Sequence, residues 1–165
     1  MNPFVIDAFE FCRLKERREG ERPVAEFARL SEELADVSGT VRWVLQGGMH
    51  SMGHPQLALS VSGTVQLMCQ RCLTPFAFDV GSESVLVVAK SEEAADEIDG
   101  VLADDSIDVI VGTKAMNVAD LIEDDMLLAI PLSPKHAVCP DQVGRSIEAA
   151  SVKRASPFAV LKNKQ

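Results

Sequence analysis

The sequence predicts an α+β fold, with an N-terminal helical region, a coiled antiparallel sheet that could form an open barrel, and a C-terminal helix packed on the sheet. Three stretches of different periodicity predict it. Apolar residues have helical spacing from residue 4 to about 35, alternate with a period of two from Val41 to about Val111, and regain helical spacing from Val118 to Ala129. One switch from helix to strand and back is typical of segregated helices and strands.

The N-terminal region contains two predicted helices. The first begins at Asn2 and Pro3, which suit the N-cap and the first helical position, and Gly20 is its expected stop. Its apolar face has the spacing i, i+3, i+4 and i+7, at Val5, Ala8, Phe9 and Cys12. The second helix covers Val24 to Ala35, although its first half could equally be extended after Pro23.

The sheet begins where the period changes to two. Val41, Trp43 and Leu45 point to one side of the first strand. The longest alternating run is Leu57 to Cys69, in which every odd position except Gly63 is apolar or a thiol, as in a strand buried on one face. The run is long for a single strand, so we expect a bulge or a sharp bend at Gly63.

Three shorter strands complete the predicted antiparallel sheet. Phe76 to Val80 and Ser84 to Lys90 are separated by Gly81 and Ser82, which have the composition of a turn. Ile107 to Val111 is a last short strand that ends at a glycine.

The chain divides into one predicted domain and a tail. Residues 1–139 form the α+β domain, and the eight carboxylates between residues 91 and 108, with no basic residue among them, predict a solvated, mobile acidic loop at about 91–106. Residues 140–165 have the composition of a basic linker, with a short apolar motif at 157–161 that either docks on the domain or binds a partner.

The C-terminal helix of the domain is predicted from Val118 to Ala129. Asn117 is its N-cap, and Pro131 ends it. Asp125 falls inside the apolar arc of this helix, where an unpaired carboxylate would cost several kcal/mol. We therefore hypothesise that Asp125 pairs with Arg71.

The net charge of −9 is unevenly distributed along the chain. Residues 31–144 carry five basic and eighteen acidic side chains, a balance that repels a phosphate backbone. Direct contact with RNA would therefore use the basic ends, namely Arg13, Lys15, Arg17 and Arg18, or Arg145, Lys153, Arg154, Lys162 and Lys164. The alternative is that these are ordinary solvated charges at the termini.

The compartment is predicted from what the sequence lacks. No apolar run approaches the roughly 18 residues of a membrane span, and the N-terminus lacks the pattern of a secretory signal. We expect a cytoplasmic protein without a membrane partner, whose thiols are reduced at Cys12, Cys69, Cys72 and Cys139.

Two short motifs could hold a metal ion. Cys69 and Cys72 follow the long strand, and His136 and Cys139 follow two prolines, so each pair could direct two soft ligands to one point. Four such ligands suit a structural zinc ion. The pairs are far apart in the sequence, so a structural turn at Cys69–Cys72 with an unrelated histidine and cysteine remains the alternative.

The sequence lacks the familiar catalytic signatures. The Cys69–Cys72 motif ends a predicted strand, whereas redox motifs of this spacing begin a helix. The sequence has neither a glycine-rich phosphate loop nor a nucleophile elbow, and it contains no Tyr and one Trp for base stacking. These observations favour a binding or assembly factor, without a small-molecule substrate, over an enzyme.

Three stretches resemble one family. They are Cys69–Phe76, Asp120–His136 and Pro157–Leu161, and in order and placement they are similar to the YceD family of large ribosomal RNA subunit accumulation proteins. The family motif residues in this sequence are Arg71, Glu123, Asp124, Asp125, Pro131 and Phe158, while His136 and Cys139 match more loosely.

The resemblance implies a process and assigns no catalytic residue. It implies a non-enzymatic factor that supports the synthesis, processing or stability of 23S rRNA, with rRNA or a basic large-subunit ribosomal protein as partner. The alternative is a structural zinc-binding module that chaperones a basic ribosomal protein without contacting RNA. A zinc-dependent hydrolase would need an open metal position and a general base that the sequence does not indicate.

Overall fold

The computed structural model describes residues 2–140, and the predicted tail, including Phe158 and the apolar motif at 157–161, lies outside them. The described chain has an α+β fold, as predicted. Its elements in order are β1 (Val5–Ile6), α1 (Ala8–Arg13), β2 (Arg17–Pro23), a 3₁₀ turn (Val24–Glu26), α2 (Ala28–Glu32), β3 (Thr40–Met49), β4 (Pro55–Met68), β5 (Pro75–Ala89), α3 (Glu92–Leu102), β6 (Ile107–Val111), β7 (Met116–Asn117) and α4 (Val118–Ala129).

The main sheet has five strands in the order β2-β3-β4-β5-β6, and it is not closed into a barrel. The first four strands are antiparallel, but β5 and β6 are parallel, so the prediction of a wholly antiparallel sheet was wrong. The reason is α3, which carries the chain back along the sheet between β5 and β6. β1 and β7 form a separate antiparallel pair.

The N-terminal prediction erred in where the helix lies. Asp7, not Asn2, caps α1, because its side chain accepts hydrogen bonds from the N–H groups of Phe9 and Glu10. Gly20 is not a helix stop; it lies in the middle of β2, opposite Trp43. A Cβ at Gly20 would be 3.2 Å from the indole ring, so the missing side chain gives that ring its space.

β4 continues through Gly63 without the predicted bulge. Its register with both neighbours is unbroken, since Gly63 pairs with Val41 on β3 and with Val80 on β5. A Cβ at this position would lie 2.8 Å from the carbonyl oxygen of Thr40, which explains the glycine as a site of close backbone approach.

Two predicted interruptions are regular structure instead. Gly81 and Ser82 do not form a turn, because they pair with Ser62 and Val61 inside one continuous strand, β5. The predicted acidic loop contains helix α3, which Ser91 caps by accepting a hydrogen bond from the N–H group of Ala94. Its carboxylates are compatible with a helix because the first ones lie at its positive N-terminal end.

Helix α4 has the predicted bounds and packs against β4 and β5 on the inner face of the sheet. Asn117 caps it, as expected, through a hydrogen bond from the N–H group of Ala119. Its buried side chains join the core formed by β3 and β4, where Leu45, Leu57 and Leu59 are almost fully buried. No helix in the described part of the chain is long and apolar enough to cross a membrane.

Candidate metal centre

The first half of the candidate centre is the turn that follows β4. The N–H group of Cys69 donates to the carbonyl oxygen of Thr74 (3.0 Å). The N–H group of Leu73 donates in turn to the carbonyl oxygen of Cys69 (2.9 Å). Leu73 has φ = 59°, a left-handed conformation that costs a non-glycine residue free energy. The tight turn brings the sulfur atoms of Cys69 and Cys72 to the same side.

The second half follows α4, which ends just before Pro131. The N–H group of Gln70 donates to the carbonyl oxygen of Pro134 (2.8 Å), which fixes this segment against the first turn. The ring of His136 packs on that of Phe76, at the start of β5, with 4.8 Å between the ring centroids. These contacts place His136 and Cys139 over the Cys69–Cys72 turn.

The four predicted ligands come together. Their ligand atoms all lie within 4.8 Å of one another, so the cluster could hold a metal ion. Cys69 Sγ is 3.7 Å from Cys139 Sγ, and Cys72 Sγ is 3.3 Å from His136 Nδ1. The edges of a tetrahedron with Zn–S near 2.3 Å and Zn–N near 2.0 Å are about 3.8 and 3.5 Å, so these two separations fit a zinc ion.

The environment of Cys69 favours its thiolate, the form that binds metals. Burial disfavours this charge, but backbone hydrogen bonds from Cys72, His136 and Arg71 outweigh it and lower the pKa of the Cys69 thiol to about 5. The N–H group of His136 is 3.4 Å from the sulfur. Burial and the neighbouring sulfurs of Cys69 and Cys72 instead raise the pKa of Cys139 to about 11. A cation at the centre would relieve the repulsion between these sulfurs.

The centre is closed on most sides. Cys69 and Cys139 are fully buried, whereas Cys72 and His136 are partly buried. Four protein ligands of this type are typical of structural zinc sites, because catalytic sites keep one position for water or substrate.

The hypothesis that Arg71 pairs with Asp125 was wrong. Arg71 is exposed on the turn, and Asp125 instead accepts a hydrogen bond from Ser84 Oγ on β5 (2.5 Å). Burial raises the pKa of Asp125, and the neighbouring carboxylates of Asp108 and Asp124 raise it further. A hydroxyl group therefore satisfies the carboxylate that the helical pattern placed inside the apolar arc.

The other acidic motif residues form a site that the sequence did not predict. Glu123 is only 6 % exposed, and its two carboxylate oxygens accept hydrogen bonds from Arg29 Nε (3.0 Å) and from the N–H group of Leu30 (2.9 Å). Arg29 also contacts Asp124, with its Nη1 2.6 Å from Oδ1. These contacts join α4 to α2, more than ninety positions away in the chain, and no local pattern could have indicated them.

Pro131 lies just after α4, where it prevents a further helical turn.

Comparison with known families identifies the chain. The family model described as large ribosomal RNA subunit accumulation protein YceD matches residues 57–163. The chain belongs to the YceD family. The family name implies a role in the accumulation of large-subunit ribosomal RNA.

The match to YceD begins in β4, so its described part contains both halves of the metal centre and the acidic residues of α4. Neither the curated proteins nor the solved structures contain a match to the chain.

Proposed function

We propose that this protein is a non-enzymatic factor that supports the synthesis, processing or stability of 23S rRNA during assembly of the large ribosomal subunit in the cytoplasm. Its YceD family membership supports the process. The four-ligand cluster carries the non-enzymatic part of the proposal, because a metal ion held by all four residues would have no open position for water or substrate. Zinc would act there as a structural clamp.

The charge of the domain favours a protein as its direct partner. The acidic balance of residues 31–144 would repel the phosphates of rRNA, whereas ribosomal proteins are strongly basic. The second candidate function is therefore a zinc-stabilised module that chaperones a basic ribosomal protein without touching RNA. In both cases loss of the protein would lower the amount of 23S rRNA.

Depletion of the protein tests the shared part of the proposal. We expect the ratio of 23S to 16S rRNA to fall and to recover when the wild-type chain is supplied. Supply of Cys69→Ser should restore it only partly, because that variant would lack a metal ligand. An unchanged rRNA ratio after complete depletion would contradict the proposal.

Co-purification separates the two candidates. The tagged full-length chain is isolated at low and at high salt, and the attached RNA and proteins are identified. Direct RNA contact predicts that 23S rRNA is isolated with the chain at low salt and that the amount of bound RNA falls steeply as the salt concentration rises. A ribosomal protein that remains attached after nuclease treatment supports the chaperone.

A further inference from the structure

In the part of the chain that the structure describes, one edge of β5 is open over much of its length. β4 pairs with β5 from Pro75 to Val87 on one side, but β6 pairs only with Val85–Ala89 on the other. Within residues 2–140, this second edge has no strand neighbour over residues 75–84, and no backbone hydrogen bond from a loop reaches it. An open edge of this kind is a template for pairing with another chain.

The backbone groups that point out of this edge are fixed by hydrogen bonds at the two ends of β5. The carbonyl group of Ala89 accepts from Gly112, on the β6 side, whereas that of Thr74 accepts from Cys69, on the β4 side. Backbone groups alternate between the two sides of a strand, and the register with β4 is unbroken. The N–H and C=O groups of the odd-numbered residues therefore point outward, at Ala77, Asp79, Gly81 and Glu83.

The same residues are accessible to a partner. All four are exposed, and the side chains of Ala77, Asp79 and Glu83 lie on the outer face of the sheet, opposite the core. Residues 75–84 span about 33 Å at roughly 3.3 Å per residue, which is enough for a full added strand. Natural sheets rarely leave an edge of this length uncovered.

The charges beside the edge select the partner. Asp79 and Glu83 flank it, and Asp79 with Glu21 lines an open groove of about 510 Å³ on the outer face of the sheet. Among the described residues that line the groove, one is basic: Arg42, which pairs with Glu21 (2.7 Å). A second copy of the chain would bring the same carboxylates together across the new strand pair, which is unfavourable. A strand with lysine or arginine on its outer face would instead lie beside opposite charges.

We propose that the open edge of β5, residues 75–84, binds an extended lysine- or arginine-rich segment of a partner protein as an added strand. Main-chain hydrogen bonds to the outward groups would supply the affinity, and Asp79 and Glu83 would select basic side chains. The inference rests on the proposed function only in taking that partner to be a ribosomal protein.

The test uses the full-length chain and two synthetic peptides. The first is an eight-residue peptide of alternating lysine and valine. The second has the same sequence with alternate backbone nitrogens methylated, so that it keeps the lysine charges and loses backbone N–H donors. We expect the first to bind and to slow hydrogen exchange at the amides of Ala77, Asp79, Gly81 and Glu83. The methylated peptide should bind at least about tenfold more weakly.

Paired variants test the charge selection. Asp79→Lys combined with Glu83→Lys should weaken binding of the unmodified peptide by about tenfold or more. Glu92→Lys combined with Glu93→Lys makes the same charge change on exposed positions of α3 and should leave the affinity within about twofold.

Several results would overturn the proposal. Equal binding of the two peptides, or an equal effect of the two variant pairs, would do so. Protection of the four edge amides from hydrogen exchange in the free protein would also do so, as would their protection by an RNA oligonucleotide but not by the peptide. Because the test uses purified components, its failure would leave the rRNA measurement after depletion unaffected. If depletion left the rRNA ratio unchanged, binding of the basic peptide to the β5 edge would still be a valid result.

Discussion

Arg29 and Glu123 form an ion pair between α2 and α4, with Arg29 Nε 3.0 Å from Glu123 Oε2. The carboxylate is buried, while the arginine is about half exposed. Because Glu123 also accepts the backbone N–H group of Leu30, one side chain fixes the relative position of two helices. Removing a buried carboxylate that accepts from two donors leaves those donors unpaired. Removing the donors leaves a buried charge unpaired, so either change destabilises the protein.

The first prediction concerns this pair. Glu123→Ala should lower the free energy of unfolding by about 3 kcal/mol, because it leaves the Leu30 amide buried without an acceptor and removes the partner of Arg29. Arg29→Ala should cost less, since the Leu30 amide remains paired and the arginine is about half exposed. The double variant, followed by urea unfolding, should lose less than the two single losses together. Additive losses would show that the pair is not coupled.

The second prediction uses the raised pKa of Asp125, whose ordinary value is 3.8. The folded state holds the Asp125 proton more tightly than the unfolded state, so the stability associated with this group falls as the pH rises from about 4 through the raised pKa. Asp125→Asn keeps an acceptor for Ser84 and has no charge to bury. Relative to the wild type, the variant should therefore gain stability between pH 4 and pH 7, measured by urea unfolding across that range. A pH-independent difference would contradict this account.

The third prediction is that one zinc ion binds per chain. Metal analysis of protein purified without a histidine tag should give a zinc-to-chain ratio near one, and Cys69→Ser should release the ion and lower the melting temperature. Cys12→Ala is the matched control: Cys12 is also a buried thiol, but it donates to the carbonyl oxygen of Gln56 far from the cluster. The control should retain the metal. A ratio well below one, with the thiols of Cys69, Cys72 and Cys139 titratable in the native protein, would rule out zinc.

The fourth prediction compares two glycines in the sheet. Gly63→Ala should destabilise the protein by about 1–3 kcal/mol, because the new methyl group would lie 2.8 Å from the Thr40 carbonyl oxygen. Gly81→Ala should be neutral or slightly stabilising, since a Cβ there has no neighbour within 4 Å. Thermal unfolding of the two variants distinguishes them, and equal effects would show that close approach is not the reason for Gly63.

Sequence patterns predicted the parts of this fold that depend on local chemistry. Helix α4 was placed correctly because Asn117 caps it and an apolar stripe runs through it, and β4 was found because its alternation is regular. The strand β2 was missed because five of its seven residues are charged, which hides any alternation of apolar side chains, and because Gly20 resembled a helix end. Helix α3 could have been found from Ser91 followed by two glutamates, which is the pattern of a helix start.

Long-range pairing was predictable only where the chemistry was unusual. Cys69, Cys72, His136 and Cys139 could be grouped from the sequence because few side chains bind soft metals. The partner of Glu123 could not, since many arginines were available and only the packing of α2 on α4 selects Arg29. The predicted pairing of Asp125 with Arg71 was wrong for a related reason. A hydroxyl group can satisfy a carboxylate as well as an arginine can, and Asp125 accepts its hydrogen bond from Ser84.

The metal centre also constrains the order of events during synthesis. Cys69 and Cys139 are 70 positions apart, and between them the chain forms β5, α3, β6 and α4. A ribosome making this protein must therefore add residue 139 before the fourth ligand exists. Closing so long a loop carries an entropic cost that the intervening elements offset by folding first. Stable capture of the ion would thus be a late step, and a bound metal would mark a chain whose domain has been completed.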